Sequence, residues 1–112
     1  GLCYQNLGLY DKAIEVLQQA LAIAKAAGNR TDGTSKTCTN LGGCFQALGQ
    51  YEKAIKLHQE ARTIAVEVTS RTDEGVACGN LGGCFQELGD HDKAIELFHQ
   101  DRACQQDVGD RA

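Results

Sequence analysis

The chain has no proline and no tryptophan, and its 112 residues hold only three tyrosines and three phenylalanines. With so few aromatics and no alternation of β-branched with polar residues, no segment reads as a strand. No apolar run comes near the ~20 residues that a membrane-spanning helix needs. Positive charge is sparse and scattered: eleven Lys and Arg stand against fifteen Asp and Glu, for a net charge of −4. That excludes the electrostatic footprint of a nucleic-acid binder, and an acidic chain gains nothing from an anionic membrane surface. The first residues show none of the charged, apolar and small-residue succession of a signal peptide.

What the chain has instead is repetition. Cys38 to Ile55 (CTNLGGCFQALGQYEKAI) is written again from Cys78 to Ile95 (CGNLGGCFQELGDHDKAI), and a shorter copy, Gly1 to Ile14 (GLCYQNLGLYDKAI), opens the sequence. Aligned on Leu7-Gly8, Leu48-Gly49 and Leu88-Gly89, the copies recur at 41 and 40 residues. A period of this size marks a solenoid, in which each unit buries its apolar face on its neighbours. The expected units are 1–30 (the end of a first helix plus a second helix), 31–70 and 71–110, with a further one starting at 110–112. Gly109-Asp110-Arg111 there matches Gly28-Asn29-Arg30. The chain reads as about two and a half units of a longer array, so open ends, weak stability in isolation or end-to-end self-association are expected.

Each full unit reads as two helices. Residues 1–7 are expected to end one helix, with a turn at Gly8-Leu9-Tyr10. The next is expected from Asp11 to Ala27, where Ala13, Ile14, Leu17, Ala20, Leu21 and Ala24 fall at helical spacing. Asp11 would favour the helix dipole from the first turn, and Gly28 would close the other end in the left-handed conformation. After a polar loop, with Thr31 or Asp32 as N-cap, helices are expected at about Thr34–Leu48 and Tyr51–Val68, then Asp73–Leu88 and His91–Val108. The inward set of the Tyr51–Val68 helix is Ala54, Ile55, Leu57, His58, Ala61, Ile64, Ala65 and Val68, with Glu52 and Lys56 outward. Gly109 is placed to stop the last helix as Gly28 stops the first. Thr69, the equivalent residue between them, disfavours a positive φ, so that helix is expected to end another way.

Glycine inside a helix costs about 1 kcal/mol relative to alanine, yet Gly42-Gly43 and Gly82-Gly83 repeat it. Gly42 and Gly82 lie on the apolar stripe and read as points of close helix approach. Gly43 and Gly83, about 100° further round, either pack or hold a groove open. Both pairs fall within a helix rather than before one, so neither is a phosphate loop. Among the cysteines, Cys3, Cys44 and Cys84 share one repeat position, Cys38 and Cys78 another, and Cys104 stands alone. Recurrence at the period favours buried packing residues over a disulfide or a metal site. Cys38 and Cys44 also point to opposed sides of a helix, and their spacing is not a zinc spacing. Reduced cysteines suit a cytoplasmic protein.

These residues resemble the tetratricopeptide repeat, over the whole chain. The family's Leu-Gly followed by an aromatic stands here as Leu41, Gly42, Phe45 and Leu81, Gly82, Phe85, with Gly1 and Tyr4 remaining of the first copy. Its second-helix alanine is Ala13, Ala54 and Ala94; the next is Ala20 and Ala61, but Asp101 in the third unit. Cys38 and Cys78 replace the family's tryptophan, and His58 and Leu17 take a position where an aromatic such as Phe98 is preferred. The 40-residue period and the NLG opening are most similar to the long repeats of G-protein-signalling modulators (the Pins type) and related scaffold arrays, although NLGN is usual there and NLGG stands here.

The resemblance implies an all-α superhelix of antiparallel helix pairs whose first helices line a concave face. Asn40 and Asn80 then correspond to positions that hydrogen-bond the backbone or carboxylate of an extended peptide. An amide suits that task because it both donates and accepts. Gln46, Gln86 and Gln5 would extend the polar row, and Lys36, Gly43, Gly83 and Glu87 are further groove candidates. The competing reading has the asparagines bonding neighbouring helices and the glutamines merely solvated. For catalysis there is no constellation: His58 reads as a packed core residue, His91 replaces the turn tyrosine of Tyr10 and Tyr51, and His99 has no ligand at metal spacing. Asp11, Glu52 and Asp92 recur where helix starts explain them. The expectation is a protein-interaction scaffold without enzymatic activity, cofactor or metal, bound to a protein or peptide partner. The alternative is an architectural or regulatory arm beside a catalytic or nucleotide-binding domain.

Overall fold

The computed structural model describes residues 4–28 and 31–110, the side chains of 4–7, 32 and 108–110 excepted. Five helices make up this part: α1 (Tyr4–Ala26), α2 (Asp32–Ala47), α3 (Tyr51–Glu67), α4 (Arg71–Glu87) and α5 (His91–Asp110). Each packs antiparallel on the next in sequence, and α2 also touches α4. Among the described residues the backbones of α3 and α5, and of α1 and α3, do not approach closely, so the stack curves with α2 and α4 on its inner side. The shortest dimension, 22 Å, is about two helix diameters. This is a two-layered, all-α stack of helix pairs, a short solenoid. No described helix is long and apolar enough to cross a membrane.

The core follows the helical spacing. Cys38, Leu41 and Phe45 of α2 meet Ala54, Ala61 and Ile64 of α3, joined by Ala77 and Cys84 of α4 and Leu21 of α1. Of the eight inward residues expected on α3, Ala54, His58, Ala61, Ile64 and Ala65 are buried and Ile55, Leu57 and Val68 half-buried. No disulfide joins the five described cysteines, and all but the half-buried Cys44 are buried. Burial pushes the thiols of Cys44, Cys78, Cys84 and Cys104 up, so they stay protonated and pack as small apolar groups. Cys3 lies outside the described residues.

Thr31 is the N-cap of α2, its Oγ1 accepting from Thr34 N at 3.3 Å. Ser70 caps α4 in the same way, accepting from Asp73 N at 3.3 Å. At their C-termini α2, α3 and α4 share one closure. Gly49 N donates to Gln46 O and Gln50 N to Phe45 O; Gly89 and Asp90 repeat this on Gln86 and Phe85. Thr69 and Ser70 make the same pair of bonds to Val66 and Ala65, at 3.1 and 2.8 Å. The expectation for Thr69 is therefore overturned: it adopts φ 59°, the left-handed conformation that Gly49 (φ 78°) and Gly89 (φ 85°) adopt. A three-residue reversal into the antiparallel α4 requires that conformation whatever the side chain, at a cost of roughly 1–2 kcal/mol.

Two further expectations fail at the outer helices. No turn forms at Gly8-Leu9-Tyr10, because α1 runs unbroken through it, and Asp11 is mid-helix with no acid in the first turn. An interior glycine costs a helix only about 1 kcal/mol relative to alanine, which an otherwise continuous α1 tolerates. Likewise α5 continues past Gly109 to Asp110. Gly28 does close α1 as expected, at φ 73°. On α1 only Leu21 of the apolar set is buried, Ala20 is exposed, and Leu9, Val16 and Ile23 form an exposed stripe.

Candidate functional site

The inner side is built from the faces of α2 and α4 that their partner helices leave uncovered. On α2 the exposed residues Gly33, Lys36, Asn40, Gly43 and Ala47 follow one another at three- and four-residue steps, which puts them in one row. On α4 the matching row is Val76, Asn80, Gly83 and Glu87, each forty residues after its counterpart. α2 and α4 touch, with Lys36, Asn40 and Gly43 in one row of α2 and Asn80, Gly83 and Glu87 in the corresponding row of α4.

Asn40 is exposed and Asn80 half-buried. Neither has a hydrogen-bond partner among the described residues, so their amides are not consumed in joining helices. Gly43 is open: a methyl group built on it would meet nothing within 4 Å. Gly83 is closer to its surroundings, since the same methyl would lie 3.4 Å from Gln46 Nε2.

Gln46 stands apart from the row. It is half-buried, and its Oε1 accepts from His58 Nε2 at 3.3 Å. His58 is wholly buried, and its ring covers Gly42 so closely that a methyl there would lie 2.7 Å from Cε1. Its Nδ1 is buried without a partner. Burial therefore favours the neutral ring and lowers its pKa to about 4. Gln46 is in effect a clasp: one end holds His58 of α3, and its amide nitrogen rests over Gly83 of α4. Gln86, its counterpart, is exposed at the edge of the α4 row. The side chain of Gln5 lies outside the described residues. The reading from sequence missed Val76, the exposed counterpart of Lys36, which the forty-residue offset would have found.

Among the described residues no group of three or more His, Cys, Asp or Glu is placed to hold a metal ion. Glu52 and Asp92 sit in the first turns of α3 and α5, and Asp90 Oδ1 caps α5 by accepting from Lys93 N at 3.2 Å. A family model described as Tetratricopeptide repeat matches residues 1–67 and, a second time, 34–107. Comparison with curated proteins gives no match.

Proposed function

The chain belongs to the tetratricopeptide repeat family, and from that premise we propose that its inner face holds an extended peptide segment of a protein partner. Membership makes the chain an interaction scaffold rather than an enzyme. The observation that carries the finer reading is the pair Asn40 and Asn80: one amide on each inner helix, at the same position of the repeat, without an internal partner. Helices packed side by side lie on the order of 10 Å apart. That matches peptide units roughly three residues apart on a strand rising about 3.3 Å per residue. Each amide then offers one donor and one acceptor to a main-chain unit, whatever its side chain.

Gly43 leaves room for the peptide to lie against α2, while Lys36 and Glu87 at the two ends of the rows favour a bound segment of matching polarity. Protonated, buried thiols fit a cytoplasmic scaffold. The test is selection of binders from a random peptide library, then calorimetric titration of an enriched peptide. Asn40→Ala with Asn80→Ala is expected to weaken binding several-fold, since each change removes hydrogen bonds made only to the ligand. Equal affinity of the double variant would remove this face as the site.

A further inference from the structure

The repeat also builds a cleft on the opposite side, between successive second helices, and the two copies of that cleft differ. The one between α3 and α5 is narrow, about 150 Å³, floored by Leu81, Phe85 and Leu97. Arg62 crosses it to donate to Gln100 Oε1 at 2.6 Å. Cys78 Sγ donates to the same oxygen at 3.6 Å. The cleft between α1 and α3 has the same floor, Leu41, Phe45 and Leu57, but about 460 Å³ of space. One difference is Leu21, which stands where the second cleft has Arg62, so the bond across this gap is made instead by Lys25, one turn further along α1, to Glu60.

The rim changes charge as well. Lys53 and Lys56 line the open cleft, whereas the closed one has Lys93 and Glu96 at those positions. A third lysine, Lys25, is paired with Glu60 at 2.9 Å. Lys53 lies over the Phe45 ring at 5.5 Å from its centroid, and among the described residues Lys56 makes no ion pair. Two cations without carboxylate partners thus edge an apolar trough on a chain of net charge −4.

We propose that the α1–α3 cleft is a second docking site, for an acidic peptide segment of a protein partner that carries apolar side chains between its carboxylates. Lys53 and Lys56 are one helical turn apart, about 5–6 Å between Cβ atoms, close to the roughly 6.6 Å between alternate residues of an extended strand. Alternation places carboxylates beside the lysines and the intervening apolar side chains toward Leu21 and Leu57. A lipid chain fits poorly, because the trough of about 460 Å³ stands open to solvent and does not enclose one.

The probe is an acetylated, amidated pentapeptide alternating three aspartates with phenylalanine and leucine, titrated into the isotope-labelled 112-residue chain and followed by amide shifts. Shifts are expected at Ala22, Lys53, Lys56 and Leu57, and not at Asn40 and Asn80. Replacing the aspartates by asparagine is expected to weaken binding about fivefold or more, as loss of charge pairing at an exposed rim does. Lys56→Glu, at an exposed position, is expected to do the same without disturbing the fold, and Leu21→Arg to abolish binding. Arg62→Leu with Glu96→Lys, which opens the second cleft, is expected to raise the stoichiometry from one peptide to two. No binding, shifts confined to the Asn40–Asn80 face, undiminished affinity in Lys56→Glu, or equal binding of dodecanoate would each overturn the proposal.

Discussion

In the second repeat His58 lies over Gly42 with no surface exposed; forty residues later Phe98 lies over Gly82 and is 40% exposed. The same offset relates the seams beside them. Between α2 and α3 the small residue is on the second helix: Ala61 is fully buried, and Ser35 Oγ donates to its carbonyl at 3.0 Å. Between α4 and α5 the sizes are exchanged. Asp101 takes the place of Ala61, while Gly75 and Gly79 replace Ser35 and Thr39. A methyl group on Gly79 would lie 2.8 Å from Asp101 Oδ2, and Gln105 Nε2 donates to Oδ1 at 3.0 Å. One backbone plan therefore tolerates two ways of filling a seam, provided volume lost on one helix is regained on the other.

The largest effect is expected where that exchange is half made. Ala61→Asp brings the residue of the third repeat into the second without its two glycines, burying a carboxylate with no paired charge. A loss of roughly 3–5 kcal/mol is expected, read as a collapse of the urea midpoint. Ser35→Gly and Thr39→Gly added to it should recover part of that loss. An unchanged midpoint in Ala61→Asp alone would show that the seams do not depend on complementary volume.

Acidification should separate the repeats next. His58 is buried neutral with its pKa lowered to about 4, against about 6.5 in the unfolded chain. Between those values the unfolded state binds a proton that the folded state refuses. Stability should therefore fall as the pH drops from 6.5 toward 4, by up to about 3 kcal/mol. His58→Phe, which borrows the third repeat's residue, should flatten the slope between about pH 6.5 and 5, where most carboxylates stay ionised. A slope retained in that variant would remove His58 as its source.

The helix-crossing glycines should differ in the same sense. Gly42→Ala drives a methyl into a ring that is fully enclosed and hydrogen-bonded to Gln46, an overpacking cost of about 1–3 kcal/mol. Gly82→Ala meets Phe98 Cε1 at 2.8 Å, but that ring is partly free to swing outward, and the alanine adds about 1 kcal/mol of helix propensity. Near-neutrality is expected there. The smallest effect is a gain: Thr69→Gly relieves the left-handed threonine and should stabilise by about 1 kcal/mol. The mirror change, Gly89→Ala, should cost about as much. Thermal melts of the pair check both, and a destabilised Thr69→Gly would mean the threonine side chain contributes more than its backbone strain removes.

Much of this arrangement was legible in the sequence. The recurrence of Leu41, Gly42, Phe45 and Ala54 placed four helices to within two residues at their starts, and the core positions with them. Gly42 and Gly82 were readable as contact points because their spacing set them on the apolar stripe. What escaped depended on context that no local pattern carries. Thr69 is forced into its conformation by the length of the reversal into α4, and Gly8 sits inside α1 although its repeat counterparts Gly49 and Gly89 close α2 and α4. Gln46 looked like a groove residue, yet its partner His58 is twelve positions away on another helix. The exchange of Arg62 for Leu21 at the outer cleft stood in the repeat alignment all along and becomes meaningful only once the cleft exists.

The inward position of α2 and α4 underlies both the peptide face and the outer clefts, and nuclear Overhauser contacts in the labelled chain test it most directly. Contacts from the His58 ring to Gly42, and between α2 and α4 backbones, should be present, with none between the backbones of α3 and α5. Backbone contacts joining α3 to α5, or α1 to α3, in place of those between α2 and α4 would mean the helices close into a bundle and that neither face exists.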